Sequence, residues 1–272
     1  MKVGQFIPAA CLLIAAAGLA AIVPLAAQSP DVAGHPTSAA PTEKQQEEVF
    51  RITPLKPVAE LRREALAANP PVEAGTFLSP DLVDVTAYDP TIKLDIRYAT
   101  SRNFLSTPLY SEARAFLQRP AAEALARASE KLRSLGYGLL IYDAYRPWYV
   151  TKMFWDATPA DKKIFVADPA EGSRHNRGCA VDLTLYDLKT GSPVEMTGGY
   201  DEMSERSYPT YAGGTPLQHS HRELLRSVMQ AEGFDVYSYE WWHFDFRNWK
   251  KYPILNLTFE QLDRSQLSRP HP

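Results

Sequence analysis

Four residues in two short stretches have the types and spacing to do chemistry. His175 and Asp182 lie in Ser173-Arg174-His175-Asn176-Arg177-Gly178-Cys179-Ala180-Val181-Asp182, and Glu240 and His243 close Glu240-Trp241-Trp242-His243. Two imidazoles and a carboxylate make three metal ligands, with Gly178 letting the backbone turn between the first two. A catalytic zinc needs three protein ligands and an open fourth position, whereas a structural zinc is closed by four. Glu240 is then the candidate base for a proton of zinc-bound water. The two tryptophans beside it predict a partly desolvated wall, where a carboxylate titrates closer to neutrality. A His and an Asp at this spacing are a weak signal alone; the second stretch strengthens it.

Arg146 admits two readings. One is a structural ion pair with Asp143; the other is a cation aimed at the oxyanion that forms when water attacks a carbonyl. Of the remaining histidines, His35 and His271 fall in polar terminal stretches and are expected to be solvated. His219 and His221 form a rival metal pair, but residues two apart at a helix start point away from each other, so both are expected at the surface. Cys179, between Gly178 and Ala180, is expected to be a small buried residue and not a nucleophile.

The elements that must position these groups can be read from periodicity. Ile92–Tyr98 alternates with period two and predicts a half-buried strand. Pro120 opens a helix to about Leu135, with Ala121, Leu125, Ala128 and Leu132 on one face and Gly136 as its C-terminal stop. Tyr137–Asp143 predicts a strand that delivers Arg146, and Pro147–Trp155 a helix. Ala180–Leu185 predicts the strand carrying Asp182. Leu217–Glu232 predicts a helix ended by Gly233, and Val236–Phe246 one strand carrying both Glu240 and His243. Helices and strands without regular alternation indicate an α+β fold.

The N-terminus reads differently. Lys2 precedes an almost continuously apolar run, Phe6–Ala27, that ends in small residues before Gln28-Ser29-Pro30. That is the pattern of an export signal, the alternative being an uncleaved membrane anchor. Cleavage would leave Cys179 as the sole cysteine, so no intramolecular disulfide is expected. The segment from 28 to about 53 is rich in Pro, Ala, Ser, Gln and Glu and predicts a flexible spacer, followed by a short helix over Pro57–Ala68. The chain has 272 residues, 45% of them hydrophobic and 22% charged, which suffices for one sizeable core. A net charge of −3 with scattered basic residues argues against nucleic acid as a partner.

The pattern Ser173-x-His175-x-x-Gly178-x-Ala180-x-Asp182, followed by Glu240-x-Trp242-His243, resembles the signature of the zinc D,D-peptidase and dipeptidase family. Further stretches resemble its D-alanyl-D-alanine dipeptidase branch: Asp95–Thr100 with Asn103-Phe104, Gly138–Pro147, Asp182–Leu185, Tyr200–Ser207 and Glu240–Phe244. The likeness spans roughly residues 82–255. It implies one zinc per chain on His175, Asp182 and His243, Glu240 as catalytic base, and Arg146 stabilising the tetrahedral intermediate. It also implies that Asp201 holds the substrate ammonium, with Ser173 and Tyr110 as further substrate contacts. Cys179 stands where relatives often have Ser.

The expectation is therefore an α+β domain over 81–265, with a central, mostly antiparallel sheet flanked by helices and the zinc site at one sheet face. Residues 1–27 are expected to be the export signal, 28–80 the spacer and 266–272 a tail. The implied activity is hydrolysis of D-alanyl-D-alanine to two D-alanines in cell-wall peptide turnover, in the periplasm or at the cell surface. The alternatives are a D,D- or L,D-carboxypeptidase acting on peptidoglycan stem peptides, or a non-catalytic zinc-binding module. The partner is a small peptide, and any membrane contact runs through the N-terminal segment.

Overall fold

The computed structural model describes residues 49–262. The expected export signal, the first part of the spacer (28–48) and the tail lie outside the described residues. Two helices carry a proline in the first turn, where it supplies the fixed φ at no hydrogen-bond cost. These are α2 (Arg119–Ser134), with Pro120 in its first turn, and α4 (Pro216–Ala231). In α4, Thr215 and Gln218 form a reciprocal capping box. Gly136 and Gly233 follow α2 and α4 with φ of +89° and +92°, left-handed conformations that stop each helix.

The core is a five-stranded sheet in the order β2-β4-β5-β7-β6, where β2 is Lys93–Leu94, β4 Tyr137–Asp143, β5 Ala180–Asp187, β6 Phe234–Val236 and β7 His243–Phe246. Only the β2–β4 pairing is parallel. A separate antiparallel pair joins β1 (Leu82–Asp84) to β3 (Phe116–Gln118). Helix α2 packs on β4, and α4 on β5 and β6. Alternation along β5 sends Val181, Leu183 and Leu185, all fully buried, to one face and Asp182 to the other. The α+β architecture with a mostly antiparallel central sheet is as expected.

Three boundaries differ from the sequence reading. The expected strand Ile92–Tyr98 is a two-residue strand followed by a 3-10 turn over Arg97–Ala99. The expected strand Val236–Phe246 is a hairpin, β6 and β7, joined by a turn that holds Glu240. Helix α1 (Val58–Ala67), expected inside a spacer, packs against α3 (Trp148–Ala157) and buries Leu61 and Ala65 completely. Glu73 then ties this segment to the domain, accepting from Arg177 Nη2 and from the Ile254 amide, both at 2.6 Å. The i, i+4 pair Leu61 and Ala65 is enough to dock a short helix that has a neighbour to receive it.

Candidate active site

Sheet register assembles the site. Asp182 on β5 lies directly opposite His243 on β7, so both side chains leave the same face side by side. On the other side of β5, Asp182 faces Asp143 at the end of β4. There the register shifts between Ile141 and Asp143, and the bulge re-aims the end of β4 beside the ligands. His175 arrives from a 3-10 turn, His175–Arg177, closed by Gly178 at φ +65°. The left-handed φ favours glycine there, and a Cβ would also sit 2.3 Å from Leu82 Cδ2 and force that side chain to move.

Three ligand atoms converge. His243 Nδ1 lies 3.0 Å from Asp182 Oδ1 and 3.1 Å from His175 Nε2, and His175 Nε2 lies 3.3 Å from Asp182 Oδ1. Ligands about 2.0–2.2 Å from a tetrahedrally held ion stand roughly 3.3 Å apart. The far side of each ligand is also held. His175 Nδ1 donates to the Ala144 carbonyl at 2.6 Å, His243 Nε2 donates to Asp245 Oδ1 at 2.9 Å, and the Tyr200 hydroxyl donates to Asp182 Oδ2 at 3.0 Å. A metal-ligating arrangement of those protons leaves the inner nitrogen of each ring facing an Asp182 Oδ1 that has no hydrogen-bond donor. Three converging lone pairs repel one another unless a cation sits among them, so these residues fit a metal ion. Among the described residues this is the one such cluster.

Around the ligands lies a cavity of about 90 Å³, lined among others by Arg146, Ser173, Arg174, Asp201 and Glu240. Glu240 Oε2 is 3.6 Å from His243 Nδ1. Burial pushes its carboxyl up to about 8, against the pull of the neighbouring His243. Asp201 accepts from the Tyr98 hydroxyl at 2.8 Å. Its φ of +56° is sparsely populated for a residue with a side chain, a strain typical of functional positions. Burial pushes Asp201 up to about 7, with the Tyr98 hydrogen bond opposing.

Both readings of Arg146 hold together. Its Nε and Nη2 donate to Asp143 Oδ2 at 3.0 and 2.7 Å, while the side chain lines the cavity with Nη2 3.9 Å from Asp182 Oδ2. Asp143 is fully buried, and Tyr110 and the Ala144 amide donate to its Oδ1. The ion pair thus positions the guanidinium and leaves Nη1 outside the pairing.

Seven of the eight expected site residues meet at this cavity: His175, Asp182, His243, Glu240, Arg146, Asp201 and Ser173. Tyr110 does not. It is buried behind Arg146, donating to Asp143 at 2.7 Å and packed on Phe259, and so supports the site from beneath. His221 is another correction: it is buried, not superficial, with Nδ1 donating to the Glu195 carbonyl and its ring against Tyr137. Cys179 is fully buried, and burial pushes its thiol up to about 12, which leaves it inert. Tyr98, Tyr200, Asp245 and Arg174 carry parts of the site with no role read from sequence. Asp245 was legible in principle, two residues past His243 on the same strand face; Tyr98 and Tyr200 reach the site only through folding.

Comparison with known proteins supplies the family. The family model described as D-ala-D-ala dipeptidase, peptidase M15, matches residues 79–261. A D-alanyl-D-alanine dipeptidase of Escherichia coli (strain K12) is 38% identical over 175 residues, 64% of this chain and 89% of its own length. One from Enterococcus faecium is 37% identical over 180 residues, 60% of this chain and 89% of its own. One from Streptomyces coelicolor is 35% identical over 174 residues, 57% and 86% respectively. Among solved structures, the LdcB LD-carboxypeptidase aligns over 48% of this chain and 59% of its own, at a TM-score of 0.32 and 20% identity, too distant to argue from.

Proposed function

We propose that this chain, which belongs to the D-ala-D-ala dipeptidase family, hydrolyses D-alanyl-D-alanine to two D-alanines with one zinc ion per chain. The observation that carries the reading is the set of three mutually close ligand atoms with Glu240 3.6 Å away in the same cavity. His175, Asp182 and His243 would hold the ion, and the two-nitrogen, one-oxygen donor set suits zinc. Zinc bound there would supply Lewis acidity and lower the pKa of its water to about 7.

The remaining work belongs to the chain's own residues. Glu240 takes the proton from the attacking water and returns it to the leaving amine. Its buried carboxyl has the basicity for both transfers. A cation on the adjacent ligands draws that carboxyl down toward neutrality, the range in which one group serves as base and then acid. Arg146, fixed by Asp143, directs positive charge at the developing oxyanion. Asp201 pairs with the free ammonium of the substrate, which favours dipeptides over peptides extended at the N-terminus. Ser173 contributes a further polar contact.

The proposal extends to place and role. The N-terminal apolar run Phe6–Ala27 supports export, so the substrate is dipeptide released outside the cytoplasm in wall turnover. Recovery of the protein from the cytoplasm alone would overturn that part. The activity is tested by incubating purified protein with D-alanyl-D-alanine and with a stem pentapeptide, each with and without chelator. Chelator-sensitive release of D-alanine from the dipeptide, with little from the pentapeptide, is the expected result. Preference for the pentapeptide would indicate a carboxypeptidase, and inertness toward both a binding module.

A further inference from the structure

Arg174 is a charged residue of the cavity to which the mechanism above gives no task. It sits between Ser173 and His175 and lines the same cavity as the ligands. Its guanidinium carbon lies 5.7 Å from the Tyr237 ring centroid and 4.9 Å from that of Trp249. Its Nε is 3.6 Å from Asp245 Oδ2, an ion pair too long to be a hydrogen bond, and is buried with no hydrogen-bond partner. The protein therefore holds this cation by ring faces and charge, with no protein hydrogen bond to Nε and with the side chain partly open to solvent. Arg146 is the opposite case, spending Nε and Nη2 on Asp143. A buried donor without a partner is uncommon in a folded protein and marks a place for a ligand or water.

The two arginines contact different neighbours of the ligand cluster. Arg146 stacks 5.3 Å from the Tyr98 ring, whose hydroxyl donates to Asp201, and it reaches Asp182 at 3.9 Å. Arg174 connects instead through Asp245, which accepts from His243 Nε2, and through Tyr237, whose ring lies 5.3 Å from that of His243. One cavity thus holds an acidic group at Asp201, the ligands, and a basic group at Arg174, and the two charged groups reach the ligands through different neighbours. A dipeptide is a zwitterion with an ammonium at one end, the scissile carbonyl between, and a carboxylate at the other.

We infer that Arg174 binds the C-terminal carboxylate of the peptide substrate, so that the cleft selects a dipeptide by reading both charged termini. The fork of N–H donors on a guanidinium matches a carboxylate in two parallel hydrogen bonds. Asp245 and the two rings fix the group without consuming those donors. The inference rests on the peptidase reading and deepens it.

The test compares kcat/KM for D-alanyl-D-alanine with that for its C-terminal amide, in the wild-type protein and in Arg174→Ala, with bound metal measured in both. The wild type should prefer the free acid by about ten- to a hundredfold, the range for a hydrogen-bonded charge. Arg174→Ala should lose that preference through a raised KM for the acid, with kcat and metal content little changed and the amide cleaved as before. Arg174→Lys should recover part of the preference. An equal loss on acid and amide, with or without loss of metal, would make Arg174 a support for Asp245 and overturn the assignment. So would an active wild type that does not discriminate. A wild type inert toward both peptides would instead remove the dipeptidase reading itself, and this inference with it.

Discussion

The floor and the ends of the cavity are built on different rules. On the floor, each ligand of the metal cluster is held from behind by a protein partner: the Ala144 carbonyl, Asp245 and the Tyr200 hydroxyl. At the ends, Asp201 sits in strained backbone with one hydroxyl partner, and Arg174 has a buried nitrogen with none. Where the protein completes its own bonding, geometry is fixed before any ligand arrives, and that is what an ion and its base require. Where bonding is left open, a substrate can supply the missing partner.

The sharpest way to break this contrast is to empty the floor. Asp182→Ala should lose both bound metal, read by elemental analysis, and essentially all hydrolysis. Glu240→Ala should keep the metal and lower kcat by about 10²–10⁴; near-normal turnover by that variant would remove the role assigned to Glu240. Arg146→Ala should lower kcat by about 10²–10³. It also strands the buried Asp143 carboxylate, at a cost of about 3–5 kcal/mol in thermal or denaturant unfolding. An Arg146 variant that is slow but no less stable would separate catalysis from the ion pair.

Smaller effects test the supports and the ends. Asp245→Ala removes the acceptor behind His243 and should weaken metal affinity by about 10–100-fold. Asp201 binds an ammonium only when ionised, and burial holds its carboxyl at about 7. KM for the dipeptide should therefore fall as pH rises through that value, and Asp201→Asn should raise KM and flatten the dependence. A pH-independent KM in the wild type would take Asp201 out of substrate binding. Cys179→Ser should leave turnover and metal content unchanged, since the thiol is buried and un-ionised at neutral pH.

Residue chemistry and local pattern determined much by themselves. The types of His175, Asp182, Glu240 and His243 pointed to a metal and a base, because few side chains ligate and fewer sit beside paired tryptophans. Strand β4, helices α2, α3 and α4, and the left-handed turn at Gly178 follow from periods, prolines and glycines, which act over a few residues. Only the tertiary structure decided what meets what. A period of two says which face a side chain takes but not its cross-strand partner, so the opposition of Asp182 and His243 and the bulge before Asp143 had to be observed. The same holds for the turn that carries Glu240, the burial of His221, and the withdrawal of Tyr110 behind Arg146. Arg174 is the clearest case. Beside a ligand in sequence it was simply another cation; its unspent donors exist only because Asp245, Tyr237 and Trp249 converge on it from more than sixty residues away along the chain.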